Sequence, residues 1–174
     1  MAPTTIDSLS RLRALALDGD AGSLRALSKA LESRCFSVLA ASDGTRGLEL
    51  LLEELLSLDV VVIDAGLPHR DALAFAELIR REGGEHDLAI VVVAHGATAE
   101  HRAALLEAGV DAVVEASAGP ETAAAAAVGA VVARGTRILD EEVAPAEAVA
   151  PKREPTAFAR FELPFTAGWL LQPA

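Results

Sequence analysis

Five short apolar runs recur along the chain at intervals of 22 to 29 residues, and a stretch of helical periodicity follows each of them. Such alternation predicts a parallel sheet with right-handed crossovers and helices on both faces. The third run is almost wholly Val and Ile, which is typical of a strand buried on both sides. The strands are expected at residues 12–17, 36–41, 59–64, 88–94 and 110–115, and the helices at 21–34, 45–56, 72–82, 97–108 and 120 to about 134.

The composition changes after this repeating region. Residues 1–10 are expected to be an N-terminal lead, and 11–135 an α/β domain. Residues 136–155 are rich in Ala, Pro and Glu, which indicates a linker without a core of its own. The tail, 156–174, is apolar and holds four of the six aromatic residues of the chain: Phe158, Phe161, Phe165 and Trp169. Because large exposed apolar patches are unusual, this tail is expected to dock on its own domain, on a partner or on a second copy in a homodimer, with disorder as the alternative.

The charge and the cysteine content narrow the classes of partner. The net charge is −11 at pH 7, whereas binding to nucleic acid or to an anionic membrane surface requires a basic face. Cys35 is the one cysteine, so no intramolecular disulfide is expected, and a cytoplasmic location fits. The N-terminal residues lack the pattern of a signal peptide, and no apolar run is long enough to span a membrane. We therefore expect a cytoplasmic protein whose partner is another protein.

Three segments carry a resemblance to a known family: LALDGD at 15–20, VVVIDAGLPHRDAL at 60–73 and EHRAALLEAGVDAVV at 100–114. Together with the five strand–helix units, they resemble the receiver domain of bacterial response regulators over roughly residues 10–134. The resemblance implies a flavodoxin-like (βα)5 doubly wound parallel sheet with strand order 2-1-3-4-5, here followed by a C-terminal extension.

The resemblance also implies a chemistry, namely phosphoryl transfer from a histidine kinase to an aspartate that ends strand three. In the family, two acids after strand one and the strand-three aspartate bind Mg²⁺ together with a backbone carbonyl two residues on. A Ser or Thr that ends strand four and a Lys that ends strand five hold the phosphoryl oxygens. A carboxylate that attacks a dianionic group needs such a cation and such donors, because the two negative charges repel each other.

Some of these parts are present in the sequence. By resemblance, Asp64 stands at the phosphoacceptor position and Asp18 at the first of the two acids, and Gly66 would offer the metal-binding carbonyl. Asp20 is expected to cap the first helix rather than to bind metal. With two carboxylates left, binding of Mg²⁺ at Asp18, Asp64 and Gly66 is expected to be weak or absent, and no cofactor is expected with certainty.

Other parts are missing. Gly19 stands at the second acid, and Ala94 stands at the Ser or Thr position. The lysine position is Ala116, or Glu115 if the register shifts by one, and neither of the two lysines of the chain lies near the fifth strand. Val113 stands at the aromatic position of strand five that takes part in the conformational switch of the family. Two lost donors and one lost carboxylate correspond to about 3–6 kcal/mol or more of phosphoryl stabilisation if the effects roughly add.

The four histidines do not have the spacing of a metal site. His95 follows the fourth strand and lies near the expected site, and a loop histidine is the preferred interpretation over a catalytic one. The remaining three, His69, His86 and His101, are expected on the surface.

The resulting hypothesis is a stand-alone signalling module that acts by protein–protein interaction through its helix-four, strand-five and helix-five face, with phosphorylation of Asp64 weak or lost. One alternative is a working phosphoreceiver in a histidine-kinase phosphorelay, and another is a sensor of a small ligand or nucleotide. The partner is expected to be a signalling protein, with a histidine kinase as one candidate. An enzyme is not expected, because the sequence shows neither a nucleophile–base pair nor a Gly-rich phosphate loop.

Overall fold

The five apolar runs form one parallel sheet in the computed structural model, which describes residues 12–69, 71–82 and 87–142. The order of the strands is β2-β1-β3-β4-β5, so the predicted flavodoxin-like topology is confirmed. The strands are β1 Arg13–Leu17, β2 Ser37–Ala41, β3 Val60–Asp64, β4 Ala89–Ala94 and β5 Ala112–Glu115. The helices are α1 Ala21–Glu32, α2 Gly44–Glu54, α3 Ala72–Glu82, α4 Ala99–Glu107 and α5 Pro120–Glu142.

Two apolar layers enclose the sheet, and alternate residues of the central strands feed them. Val61 and Ile63 of β3 join a layer that contains Phe75 of α3, whereas Val60 and Val62 join the opposite layer. The first layer packs against α2, α3 and α4, and the second against α1 and α5. Every residue of β3 is buried, which accounts for the continuous apolar run in the sequence.

Polar side chains fix the beginnings of several helices. Asp20 Oδ1 accepts a hydrogen bond of 2.7 Å from the amide of Ser23, so its predicted role as the cap of α1 is confirmed. Asp43 caps α2, and Thr98 caps α4 in the same way. Caps of this kind contribute about 1 kcal/mol each to stability, and they set where each helix starts relative to the sheet edge.

The last helix is longer than the sequence pattern predicts. It continues to Glu142, although the apolar pattern and Gly135 place its end near residue 134. A glycine inside a helix costs only about 1 kcal/mol relative to Ala, and the next proline is Pro145. The predicted linker therefore begins as helix. The rest of the linker, the 1–10 lead and the 156–174 tail lie outside the described residues.

A network of charged side chains ties α3 and α5 to the strands. Arg80 donates to the carbonyl oxygen of Gly109 and forms an ion pair of 3.0 Å with Asp111. Arg134 pairs with Asp111 at 2.9 Å and with Asp87 at 2.9 Å. Burial lowers the pKa of Arg80, and the neighbouring Arg134 lowers it further. The carboxylate of Asp111 thus holds two arginines that would otherwise repel each other.

Among the described residues, no helix combines the length and the apolar character that a bilayer crossing requires.

Candidate functional site

Two carboxylates lie at the carboxyl edge of the sheet. Asp18 directly follows β1, and Asp64 is the last residue of β3. Their exposed fractions are 6% and 7%, and within the described part of the chain they are the two buried residues with a polar or charged side chain. Burying a charged group is costly unless it is hydrogen-bonded or paired, so the partners of these two side chains indicate what the edge can do.

Both oxygens of Asp64 have hydrogen-bond partners. The amide of Gly66 donates to Oδ2 over 3.2 Å, and Nε2 of His95 lies 2.6 Å from Oδ1. Because a carboxylate accepts, Nε2 carries the hydrogen in this contact, either as the neutral tautomer or as imidazolium. The side chain of His95 is 63% exposed, against 10% for that of Asp64. The imidazole therefore reaches from solvent onto a buried carboxylate.

The sequence does not predict the contact between His95 and Asp64, since it favours a loop histidine at position 95. His95 directly follows the last residue of β4, and its position at the same sheet edge as Asp64 was the signal that pointed to it. The hydrogen bond itself depends on how the loop after β4 turns, which a single sequence does not specify.

Among the described residues, the carboxylate of Asp18 has one hydrogen-bond partner, which contacts one of its two oxygens. Its Oδ1 accepts a hydrogen bond of 2.8 Å from the amide of Asp20. No hydrogen bond to Oδ2 is found from the residues that the structure describes. Since no fully enclosed side-chain oxygen in the described residues is unpaired, Oδ2 of Asp18 faces open space beside the sheet edge.

The three expected metal-binding residues surround one recess of about 470 Å³. Asp18, Asp64 and Gly66 line it, together with Gly19, Asp20, Ser23, Pro68 and His95. In the described ranges, no group of three or more Asp, Glu, His or Cys residues is arranged to hold a metal ion. A Mg²⁺ ion there would have two carboxylates, and it would compete with His95 for one of them. The residues present therefore fit the magnesium site of the resembled family poorly.

The space that a side chain at position 19 would need is occupied by the ring of Pro68. A Cβ added to Gly19 would lie 2.5 Å from Cδ of Pro68, which is much closer than the separation of two non-bonded carbon atoms in stable contact. A carboxylate at position 19 would thus require the loop that follows β3 to move. This packing explains in physical terms why Gly is the residue that fits here.

The side-chain donors that the resembled family has at the ends of β4 and β5 are replaced in this chain by alanines. Ala94 is the last residue of β4 and pairs with Glu115 of β5. Of the two candidates for the lysine position, Ala116 lines a cavity together with Asp64. Glu115 instead binds Arg102 of α4 and the amide of Gly96. The residue that shares a cavity with Asp64 is therefore Ala116, whose methyl side chain offers no hydrogen-bond donor.

The switch position contains a short aliphatic side chain. Val113 is half-buried in β5, and its carbonyl oxygen accepts a hydrogen bond of 2.8 Å from Nη1 of Arg102. Arg102 also pairs with Glu115, so one arginine fastens α4 along β5.

A family model of the response regulator receiver domain matches residues 14–127. The chain belongs to the response-regulator receiver family. Receiver domains are signalling modules that contact kinases and effector proteins, and this receiver takes part in response-regulator signalling. No curated protein matches the chain at a significant level.

Solved structures show the same fold. A receiver domain from Clostridium thermocellum has a TM-score of 0.65 and 19% identity, over 72% of this chain and 98% of the other. A CheY-like receiver domain protein from Methanospirillum hungatei gives 0.65 and 20%, over 73% and 98%. The receiver domain of the putative response regulator NarL from Mycobacterium tuberculosis gives 0.62 and 19%, over 70% and 97%.

In this receiver the topology brings most of the expected site residues to one sheet edge, with three roles unfilled: the second acid, the Ser or Thr, and the Lys. Asp18, Asp64 and Gly66 share the open recess. Ala116 lies beside Asp64 in the adjoining cavity, and Ala94 ends the strand next to β3. The edge can bind hydrogen-bond donors and cations through its carboxylates, and it offers a phosphoryl group no Ser, Thr or Lys at the expected places.

Proposed function

We propose that this receiver relays a signal by protein–protein contact and that phosphorylation of Asp64 is weak or lost. The observation that carries the proposal is the state of Asp64: both of its oxygens accept hydrogen bonds from the chain itself. The residues at the two donor positions, Ala94 and Ala116, have methyl side chains. An incoming phosphoryl group would lose the contact with His95 and would gain no donor there.

The energetic balance favours the unmodified carboxylate. Each hydrogen bond to a charged group contributes about 1.5–3 kcal/mol, so two absent donors cost about 3–6 kcal/mol if their effects add. That corresponds to a loss of about a hundredfold or more in the stability of the phosphorylated state. With Gly19 in place of the second acid, Mg²⁺ binding is also weak. Phosphorylation is thus a poor input for this chain, and we propose that it acts as a signalling module rather than as an enzyme.

The face proposed for partner contact consists of α4, β5 and the first half of α5. Leu106 of α4 is 49% exposed, and the pairing of Arg102 with Glu115 and with the carbonyl of Val113 holds α4 against β5. A fixed face with an exposed leucine favours a preformed protein contact, since little ordering is required on binding. The partner is a signalling protein, for which a histidine kinase is one candidate.

A phosphorylation assay tests the proposal that phosphorylation of Asp64 is weak or lost. The full chain is incubated with acetyl phosphate and Mg²⁺, and the acyl phosphate is quantified by intact-mass spectrometry. We expect no stable acyl phosphate above the level of Asp64→Asn. A stable modification that Asp64→Asn abolishes and Asp43→Asn leaves unchanged would establish a working phosphoreceiver and would refute the proposal.

A complementation experiment tests the contact half. The gene is deleted in its host, and the transcript profile is compared after return of the wild type, Asp64→Asn or Leu106→Glu. We expect Asp64→Asn to restore the profile and Leu106→Glu to fail. Leu52→Glu is the matched control, because Leu52 is 58% exposed on α2, away from the proposed face. Restoration by Leu106→Glu would contradict the proposed surface.

A further inference from the structure

A second cavity lies beside Asp64 on the side of the sheet that α1 and α5 cover. Its volume is about 300 Å³, which is at the lower end of the range for small-molecule sites. Its walls are mostly small or aliphatic, and they include Ala26 and Leu27 of α1, Val93 of β4, Ala116, and Ala123 of α5. A cavity with such walls accepts an apolar body.

The cavity exists because the residues around it are short. α1 contributes Gly22 and Ala26, and α5 begins after Gly119. Ala116 stands at the lysine position of the family and leaves empty the space that a long side chain would enter. The short side chain of Ala116 therefore accounts both for part of the cavity volume and for the absence of a side-chain donor at the lysine position.

One end of the cavity is acidic. Asp18 and Asp64 both line it, and both are more than nine-tenths buried. Oδ2 of Asp18 receives no hydrogen bond from the described residues. His95, the third titratable group that lines the cavity, is already in contact with Asp64. Neither Lys nor Arg is among the described lining residues, so this end lacks a fixed cation.

The helix start next to the cavity does not compensate for this charge. Pro120, the first residue of α5, has no amide hydrogen, and the amides of Thr122 and Ala123 donate to the carbonyl oxygen of Gly119. The first turn of α5 is thus largely satisfied by itself, and it offers an anion few of the donors that usually make a helix start attractive to phosphate. Gly22 and Ser23 at the start of α1 also line the cavity, and there the amide of Ser23 already donates to Oδ1 of Asp20. The two buried carboxylates are therefore the main charges that the cavity presents.

We propose that this cavity binds a small organic cation, with an ammonium group against Oδ2 of Asp18 and an apolar body between α1 and α5. An ammonium group gives the solvent-accessible Oδ2 of Asp18 a charged donor in place of water, and the aliphatic walls remove the body of the ligand from water. Anions, nucleotides included, are repelled by the same carboxylates. The inference goes beyond the proposed function and does not depend on it, because it concerns a ligand and not a protein contact.

Titration of the ¹⁵N-labelled full chain with benzylammonium tests the inference. Benzyl alcohol is the neutral analogue of similar shape, and benzoate and ATP are the anionic probes. We expect benzylammonium to bind about tenfold or more tightly than benzyl alcohol, with the largest amide shifts in Ala26 and Ala123. Benzoate and ATP should produce no saturable shifts.

Two pairs of variants locate the site. Asp18→Asn keeps the acceptor for the amide of Asp20 and removes the charge, and we expect it to weaken benzylammonium binding about tenfold. Asp43→Asn removes the same charge from the cap of α2, outside the cavity, and should leave binding unchanged. Ala26→Leu fills the cavity from an exposed position on α1 and should abolish binding, whereas Ala21→Leu, on the same helix but outside the lining, should not.

Two kinds of result would overturn the proposal, one for the charge argument and one for the location of the site. Equal affinity for benzyl alcohol and benzylammonium would overturn the charge argument, as would saturable binding of ATP or benzoate. Absence of binding by all four probes, or equal loss in Asp18→Asn and Asp43→Asn, would overturn the site. Acetyl phosphate and Mg²⁺ are absent from these titrations, so the binding proposal and the phosphorylation proposal can fail independently.

Discussion

Asp64 is buried at the end of β3, and a buried carboxylate is retained in a stable fold only when hydrogen bonds replace the water that it has lost. The amide of Gly66 and the ring of His95 supply those bonds. The side chain thus has a structural reason to be present that is independent of phosphoryl chemistry. The chain itself thus meets the hydrogen-bonding needs of Asp64, at an edge where Gly19, Ala94 and Ala116 add no polar side chain.

The first prediction concerns His95. In His95→Ala, Oδ1 of Asp64 loses its side-chain partner and becomes open to solvent and to phosphodonors. We expect acyl phosphate formed from acetyl phosphate to become detectable, at about tenfold or more over the Asp64→Asn background, because one charged hydrogen bond no longer has to be broken. The measurement is intact-mass spectrometry, with His101→Ala as the control on a half-buried histidine of α4. A fall in phosphorylation would instead make His95 a donor to the phosphoryl group.

The second prediction concerns Gly109. Its φ of +90° is unfavourable for residues with a side chain, and a Cβ there would lie 2.9 Å from Nε of Arg80. We expect Gly109→Ala to lower the free energy of unfolding by about 1–3 kcal/mol. Gly129→Ala is the matched control, because Gly129 is an exposed helical residue with open space around it, and it should raise stability by about 0.5–1 kcal/mol. Urea denaturation measures both, and equal effects would refute the argument.

At the scale of the elements, the charged network around Asp111 fastens helices to the sheet, as apolar packing does elsewhere in the domain. Arg80 comes from α3 and Arg134 from α5, on opposite faces of the sheet, and both meet the carboxylate that precedes β5. Asp111 also accepts from the amide of Ile90 in β4. One side chain therefore joins both helical layers to the amino edge of the sheet, far from the site and independent of it.

The third prediction follows from this network. Asp111→Ala leaves two largely buried arginines without their shared partner, and we expect a loss of about 3 kcal/mol in the free energy of unfolding. The control is Glu49→Ala, because the Arg46–Glu49 pair is about half exposed, and its loss should cost less than about 0.5 kcal/mol. Thermal and urea unfolding distinguish the two. A cost below 1 kcal/mol for Asp111→Ala would show that water replaces the network.

For the whole molecule, the order of the strands and the meeting of Asp18 with Asp64 follow from the sequence. Five strand–helix units impose the parallel sheet, and a parallel sheet places the carboxyl ends of all strands at one edge. The His95 contact, the cavity beside Ala116 and the Arg80–Asp111–Arg134 network do not follow in this way. They depend on side-chain volume, rotamers and loop paths that tertiary packing decides. The apolar pattern places the end of α5 near residue 134, whereas the helix continues through the exposed Gly135 to Glu142, because a helix tolerates an exposed glycine.

The fourth prediction belongs to the whole chain. A net charge of −11 disfavours the compact state through self-repulsion, and salt screens such repulsion over about 10 Å at 0.1 M. We expect the Tm to rise by a few degrees when NaCl increases from low concentration to about 0.5 M. Differential scanning calorimetry provides the measurement. A falling Tm would mean that screened ion pairs outweigh the repulsion, and Asp111→Ala would then respond less to salt than the wild type.

The packing of Pro68 against Gly19 bears on which mutations this sheet edge accepts. The ring occupies the place of a Cβ, so a single substitution that introduces an acid at position 19 also forces the loop after β3 to shift. Such a substitution therefore needs a second, compensating change in that loop before the new carboxylate can lie beside Asp18. The packing of one proline ring thus makes a third carboxylate at this edge a matter of at least two mutations.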